Sequence, residues 1–456
     1  MGIFFNPGNG SFTKDRNYEI YVDKTELLKY LNRAIGTPGN CIAVSHARRF
    51  GKSHAAGMID AYYSLGSDSA KLFKGTKIAS DPDYEKYRNK YNVIHLDISS
   101  FWDFHKKDIV EKIIEDIFKE LKMDYPEEFN ERDRISYVLI KIYEKTGIPF
   151  VIIIDEWDVL IRDESANKKV QDEYIRFLRG MFKGTEPTKY IQLAYLTGIL
   201  PIKKEKTQSA LNNFREYSML NAGCLASYIG FTEDEVRGLC KEYGMDFEST
   251  KAWYNGYLID GKHMYNPNSV SMAMRRQEFD SYWRNTSSFA SINTFITMNY
   301  AGLKDDIITM LSGGKVMVDT ESFQNDLSEI YSKDDALTAL IHLGYLAYDE
   351  DLLSAYIPNF EVAKAFQTAL KTGSWIEISK SISKCDELLM ATITGKEEKV
   401  AELIELAHDT YTSVLKYNDE NSLSCVLTMA YFTAPAYYNV IREMPAGKGF
   451  AVVADE

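Results

Sequence analysis

The sequence predicts an α/β fold in which a parallel sheet is covered by helices on both faces, and three observations carry that expectation. Strand and helix patterns alternate through the first 220 residues, which is the order of βαβ crossovers. The run 41–53 (CIAVSHARRFGKS) reads as a buried strand, a loop ending Gly51-Lys52-Ser53, and a helix start. The run 149–158 (PFVIIIDEWD) reads as an apolar strand that delivers Asp155 and Glu156 at its carboxyl end.

Taken in order, the chain begins with a lead-in up to about residue 40, whose helix places Leu27, Leu28 and Leu31 on one face. The spacing then predicts strand 41–45, a helix from 53 to 64, strand 92–99 and an amphipathic helix over 107–122 with Ile109, Ile113, Ile114, Ile117 and Leu121 inward. Strand 150–155, a helix at 169–182 and strand 191–197 complete the alternation. The character changes from Tyr228 onward. Thr232 with Glu235 signals a helix start and Gly244 its end. Asn255-Gly256 and Asp260-Gly261 mark turns between short aromatic strands. Residues 290–333 read as helical. The stretch 334–370 has the helix, strand, strand, helix order of a winged-helix unit, 376–433 reads as mostly helical, and 437–444 as a strand.

The chemistry lies in the two runs. A lysine and backbone N–H groups at a helix start can wrap a nucleotide's phosphates while a serine hydroxyl reaches magnesium. Lys52, Gly51 and Ser53 fit those roles, with Arg48, Arg49 and Phe50 in the same loop. Asp155 is placed to hold Mg²⁺ through water and Glu156 to polarise the attacking water. Thr197, at the end of the next strand, either senses a γ-phosphate or caps the following turn. The loop departs from the full phosphate-loop pattern, with His46 where a glycine is expected. The basic residues Lys203, Lys204 and Lys206 form either a solvated loop or a further phosphate contact, and Arg215 is either a surface arginine or an arginine finger.

Composition bounds the rest. A chain of 456 residues, 45% hydrophobic and 26% charged, has the make-up of a folded protein of two to four domains. The five cysteines lack a CxxC spacing and read as reduced thiols, so a cytoplasmic location is expected. No apolar run reaches the length of a membrane span and no signal-peptide pattern is seen. A net charge of −13 argues against non-specific coating of nucleic acid.

Several motifs together make the chain similar to bacterial and archaeal AAA-like ATPases that carry a PD-(D/E)xK nuclease-like domain at the carboxyl end. These are YVDKT at 21–25, ARRFGKS at 47–53, VIIIDEWD at 151–158, LTGILPIKK at 196–204, LNNF at 211–214, IGFTEDEV at 229–236, WYNGY at 253–257, YNPNSV at 265–270, and YW with NT at 282–286. KYNDENSL at 416–423 and EMPAGKGFA at 443–451 resemble the start of the nuclease-like part. The resemblance implies an AAA-like ATPase domain at 1–225, a helical lid at 226–333, a winged-helix-like segment at 334–375 and a partial nuclease-like domain at 376–456. It implies ATP and Mg²⁺ as ligands, with Lys52 and Glu156 catalytic. Arg48, Arg49, Phe50, Gly51, Lys52, Ser53 and Thr197 would bind nucleotide, and Ser53 and Asp155 metal. Tyr254, Asn255 and Asn266 belong to its motifs without an assigned role.

The family's arginine and proline are replaced here by His46 and Ala47. At its nuclease aspartate this sequence has Val452, so a nuclease is not expected of the tail; Glu420 and Asp455 are the acidic residues nearest the pattern. The expected function is therefore Mg²⁺-dependent ATP hydrolysis coupled to movement of the lid and carboxyl-terminal segments. A nucleotide-binding switch with little hydrolysis is the rival, and a nuclease completed by another chain a third reading. DNA is a candidate partner through the winged-helix-like unit. Self-association is expected through the sheet edge at 437–456.

Overall fold

The computed structural model describes residues 2–128, 133–163, 165–205, 208–283, 300, 302–372, 376–415, 427, 430–431, 439–446 and 449–455. Its centre is a five-stranded sheet of β1 (Cys41–Ser45), β2 (Asn92–Asp97), β3 (Phe150–Asp155), β4 (Ile191–Gly198) and β5 (Arg215–Ser218), in the order β2-β3-β4-β1-β5. Every pairing in it is parallel. A parallel sheet needs both faces covered, and the strands show it: all six residues of β3 and all five of β1 are buried. Removing each large aliphatic side chain of β3 from water contributes about 1.5–3 kcal/mol.

The helices that cover the sheet include α1 (Gly10–Arg16), α2 (Glu26–Ala34), α3 (Lys52–Tyr63), α4 (Ile109–Asp124), α5 (Ile135–Thr146) and α6 (Lys168–Phe182). On α4 the buried residues are Ile109, Ile113, Ile117 and Leu121, while Ile114 is only partly covered. The apolar stripe is thus narrower than expected by one residue. Strand β2 ends at Asp97, whose carboxylate accepts the Ser99 N–H and turns 98–104 into a short helix, so the strand expected to reach 99 stops two residues early. In chain order β2 comes between β1 and β3. In the sheet the strand between them is β4, and β2 lies at the edge. Helix α5 and strand β5 have no counterpart in the sequence reading.

Downstream, β6 (Phe231–Thr232), β7 (Tyr257–Ile259) and β8 (Lys262–Tyr265) form a small antiparallel sheet. Its β7–β8 turn, Asp260-Gly261, has φ of 48° and 70°, as a two-residue hairpin turn requires. It packs with α7 (Glu233–Tyr243), α8 (Phe247–Tyr254) and α9 (Pro267–Arg276) around a second core that includes Val236, Trp253, Tyr254 and Val270. The Thr232 and Glu235 capping box forms as the sequence indicates, and Gly244 closes α7 in the left-handed region.

The helical reading of 290–333 holds at 303–311 and is corrected over 313–332, while 290–299 lie outside the described residues. Among the described residues, α10 (Leu303–Leu311) ends before Gly313-Gly314, β9 (Val316–Met317) follows, and 318–332 runs as loop to Ser332, the cap of the next helix. Then come α11 (Lys333–Leu343), β10 (Ala347–Asp349), β11 (Ser354–Tyr356) and α12 (Phe360–Thr372), with the strands antiparallel in the order β9-β11-β10. Two long helices, α13 (Ile376–Ile393) and α14 (Glu397–Leu415), precede an antiparallel pair, β12 (Asn439–Ala446) and β13 (Gly449–Asp455). Among the described residues no helix is long and apolar enough to cross a membrane.

Candidate nucleotide site

The expected loop forms at the carboxyl end of β1, where the ladder to β4 runs on by one bond from the His46 N–H to the Gly198 carbonyl (3.1 Å). Gly51 is the N-cap of α3 with φ 90°, a left-handed backbone that glycine adopts without strain. A glycine cap has no side chain to occupy the first amides of the helix, so those N–H groups and the positive end of the helix dipole stay available to an anion. Ser53 is exposed at the second helical position.

Lys52, the first helical residue, is 4% exposed. Its Nζ donates to the carbonyls of His46 (2.8 Å) and Ala47 (2.9 Å). Burial lowers its pKa, and the carboxylates of Glu156, Asp155 and Asp158 act against that shift, so the ammonium shares one electrostatic site with the end of β3. His46 is fully buried, and burial with the Lys52 charge pushes its imidazole down to about 3, so it stays neutral inside the loop.

At the end of β3, Asp155 Oδ1 accepts the Thr197 hydroxyl and the Glu156 N–H (3.1 Å). Thr197 therefore reaches across from β4 to orient Asp155, and its side chain does not cap the turn after it. Glu156 has φ 52°. Its carboxylate pairs with Arg162, whose Nε donates to Asp158 Oδ2 at 2.8 Å. Asp158 also accepts the N–H groups of Ile199 (3.1 Å) and Leu200 (2.8 Å) and so ties the end of β3 to the end of β4. Burial raises the Glu156 pKa, opposed by Lys52 and Arg162, which suits a carboxylate that must hold and release a proton. Arg162 is the site residue that sequence reasoning missed. The signal was available: it stands four residues after Asp158, one helical turn on.

Beside the loop lies a cavity of about 440 Å³ lined by Gly51, His54, Met58 and the aromatic side chains of Phe12, Tyr18 and Tyr21, a size and lining that suit a planar base. Asp15 accepts a bond at His54 Nδ1 (2.8 Å), and that bond raises the imidazole pKa. The oxygens of Ser53 and Asp155 are hard donors of the kind magnesium prefers. No group of three His, Cys, Asp or Glu side chains among the described residues is placed to hold a metal by itself. Magnesium keeps much of its shell as water and substrate phosphate, so a hydroxyl and one carboxylate suffice.

Other expected site residues are placed elsewhere. The Phe50 side chain is 1% exposed and packs edge-on against Tyr257 at 5.4 Å. The Arg49 guanidinium donates to the Tyr282 carbonyl (3.2 Å), and Arg48 lies within electrostatic reach of Arg162 and Glu156. Arg215 pairs in register with Ile42, at the amino end of the sheet, with its guanidinium against Gly39, so it is not a finger for this site in its own chain. Lys203 forms a buried ion pair with Asp326, and Lys204 Nζ donates to the Glu321 carbonyl (3.1 Å), which makes that basic loop structural. Lys206 and Glu420 lie outside the described residues. Asp455 ends β13, paired with Asn439.

A family model described as a predicted AAA-ATPase matches residues 9–207. A protein of Azotobacter chroococcum mcd 1, described as an uncharacterized protein in the vnfD 5' region, is 25% identical over 289 residues. That match takes in 62% of this chain and 54% of the relative, so the chain spans about half the relative's length. Among solved structures, a chain from the structure of Drosophila ORC bound to DNA aligns over 80% of this chain and 93% of its own, at 10% identity and a TM-score of 0.29. A likeness that slight has no bearing on fold or ligand.

Proposed function

We propose that this chain binds ATP and hydrolyses it in the presence of Mg²⁺, as an AAA-like ATPase. The observation that supports this most directly is Lys52 at the unobstructed start of α3, sharing one electrostatic site with Asp155 and Glu156, beside a cavity that suits a base. The triphosphate would lie along the loop 46–53 with the base in the cavity. Lys52 would leave the His46 and Ala47 carbonyls for the β- and γ-phosphates. Ser53 and, through water, Asp155 would hold Mg²⁺, which would supply positive charge against the phosphates. Glu156 would take the proton of a water whose oxygen bonds to the γ-phosphorus as the bond to the β-phosphate oxygen breaks, yielding ADP and inorganic phosphate. The match of residues 9–207 to the predicted AAA-ATPase family agrees with this reading.

The ion pair of Glu156 with Arg162 favours a second reading, a nucleotide-binding switch that turns over slowly. A carboxylate engaged by an arginine is a weaker base, and hydrolysis would wait for that pair to open.

Under the same proposal 226–333 serves as lid and 334–375 as a winged-helix-like unit, with DNA a candidate ligand of the latter. Residues 376–456 would be the partial nuclease-like domain, and Glu420, one of its two candidate acidic residues, lies outside the described residues. The β12–β13 hairpin is the candidate surface for self-association, tested by sedimentation with and without 439–456.

The test is Mg²⁺-dependent ATP hydrolysis by the wild type beside Lys52→Ala and Glu156→Gln. Lys52→Ala is expected to lose binding. Glu156→Gln is expected to bind ATP and lose turnover by about 10²-fold or more. Equal binding by Lys52→Ala and wild type would end the nucleotide reading. Tight binding without turnover in the wild type would select the switch.

A further inference from the structure

Four consecutive loop residues, Ala47 to Phe50, are each gripped by a segment far downstream. Asn266 is 1% exposed at the N-cap of α9, where its Oδ1 accepts the N–H groups of Asn268 (3.0 Å) and Ser269 (3.3 Å). Those bonds orient the amide, and its Nδ2 donates to the carbonyl of Arg48 (3.2 Å). Arg49, with φ 68°, donates to the Tyr282 carbonyl. The Phe50 carbonyl accepts the Gly230 N–H (2.9 Å), and its ring packs on Tyr257. Tyr257 in turn donates its hydroxyl to the Gly344 carbonyl (2.6 Å), and a Cβ on Gly344 would lie 2.4 Å from the Ala47 Cβ. Beneath these contacts Glu361, 1% exposed, accepts from Ser269 Oγ (3.0 Å) and the Tyr282 N–H (2.7 Å).

We infer that the downstream module is a working part of the phosphate loop, and that Asn266 is a positioning residue that sets the loop's shape for anion binding. The inference rests on the proposal that this loop binds nucleotide. The physical case starts from what the loop lacks. A phosphate loop presents N–H groups inward and turns its carbonyls away from the anion. Glycines usually permit that geometry, yet this loop has His46 at the early glycine place and a non-glycine Arg49 in the left-handed region, a strained conformation that persists only where its surroundings hold it. Here the surroundings do so. The Asn266 amide fixes the Arg48 carbonyl toward α9, the Arg49 side chain anchors its own strained residue, and the Gly230 N–H holds the Phe50 carbonyl. When Lys52 leaves the His46 and Ala47 carbonyls for a phosphate, these external bonds remain to keep the loop open. Loop shape and nucleotide affinity are thereby coupled to how the downstream module is seated, and the coupling is reciprocal.

Asn266→Asp isolates the role. A carboxylate still caps α9, but it has no N–H for the Arg48 carbonyl and repels it. We expect a Kd for Mg-ATP, measured by calorimetry, weaker by about tenfold, with an unchanged circular dichroism spectrum. In the absence of nucleotide, amides of 47–53 should exchange hydrogen about tenfold faster than in the wild type. Exchange equal to wild type would overturn the inference, as would an unchanged Kd. Failure of the wild type to bind Mg-ATP would instead end the nucleotide reading, with the exchange rates alone then deciding whether Asn266 positions the loop. Should Asn266→Asp not fold, Arg49→Ala removes an exposed side chain and carries the same exchange prediction.

Discussion

Glu156 carries two constraints at once, a left-handed backbone at φ 52° and a carboxylate shared with Arg162. Strain of this kind, about 1–3 kcal/mol, persists where surrounding contacts over-determine it, and here Arg162 is itself fixed through Asp158, which is fully buried. The pair also sets the acid–base behaviour of the site. Burial raises the Glu156 pKa while Lys52 and Arg162 lower it, so deleting the guanidinium charge must raise it further. A general base works only when deprotonated, so Arg162→Gln should shift the acid limb of the kcat/KM profile upward by about one pH unit. A limb that stays in place would disconnect Arg162 from Glu156. Asp155 and Glu156 were legible in the sequence because an apolar strand ending in adjacent carboxylates is a local pattern. The Thr197 hydroxyl was read as a γ-phosphate sensor or a turn cap, and its bond to Asp155 was not foreseen, since a bond between strands is not a local property.

At the scale of elements, the motifs of the downstream half gain physical reasons. Gly256 in WYNGY has φ 109°, and a Cβ there would lie 1.9 Å from the Pro358 carbonyl oxygen. Tyr254 exchanges bonds with Asp280 through its hydroxyl, and the Asn255 carbonyl accepts Asn359 Nδ2 (2.7 Å). Gly344, with φ 85°, closes α11 where it meets Ala47. Gly344→Ala combines left-handed strain with a clash against the loop, so we expect about 1–3 kcal/mol of lost stability together with weaker ATP binding, read by urea unfolding and calorimetry. A stable variant with normal binding would show that the approach of Gly344 to Ala47 is incidental. Strong local signals predicted these elements: the Asp-Gly turn, the Thr232 capping box, the buried strands. Where the signal was weak the reading failed. The stretch 318–332 takes its path from bonds to distant partners, among them Asn325 to the Ile202 carbonyl (3.0 Å), so its periodicity was no guide.

On the scale of the molecule, the two halves are joined behind the site as well as at it. Lys203, just past β4, pairs with the fully buried Asp326, and Glu329 lies 3.5 Å from the same ammonium. Removing one partner of a buried pair leaves a charge without compensation, so Lys203→Ala should cost about 3–5 kcal/mol in unfolding experiments. Folded Lys203→Ala is expected to keep its KM for ATP, because the lysine is engaged in structure. A raised KM at unchanged stability would restore it as a phosphate contact.

From the sequence alone came the parallel α/β core, the loop before α3, the carboxylates at the end of β3, the Asp260-Gly261 turn and the Thr232 cap, whereas Asn255-Gly256, expected between two strands, ends helix α8. Each reading that held rests on contacts within a few residues or on a simple period of burial. Only the tertiary structure decided that β4 stands between β1 and β3, that Arg162 holds Glu156, that Arg215 lies at the opposite end of the sheet, and that Asn266 reaches Arg48 across 218 positions of sequence. These are pairings between partners distant in the chain, and no local propensity or periodicity encodes which distant partner a group will meet.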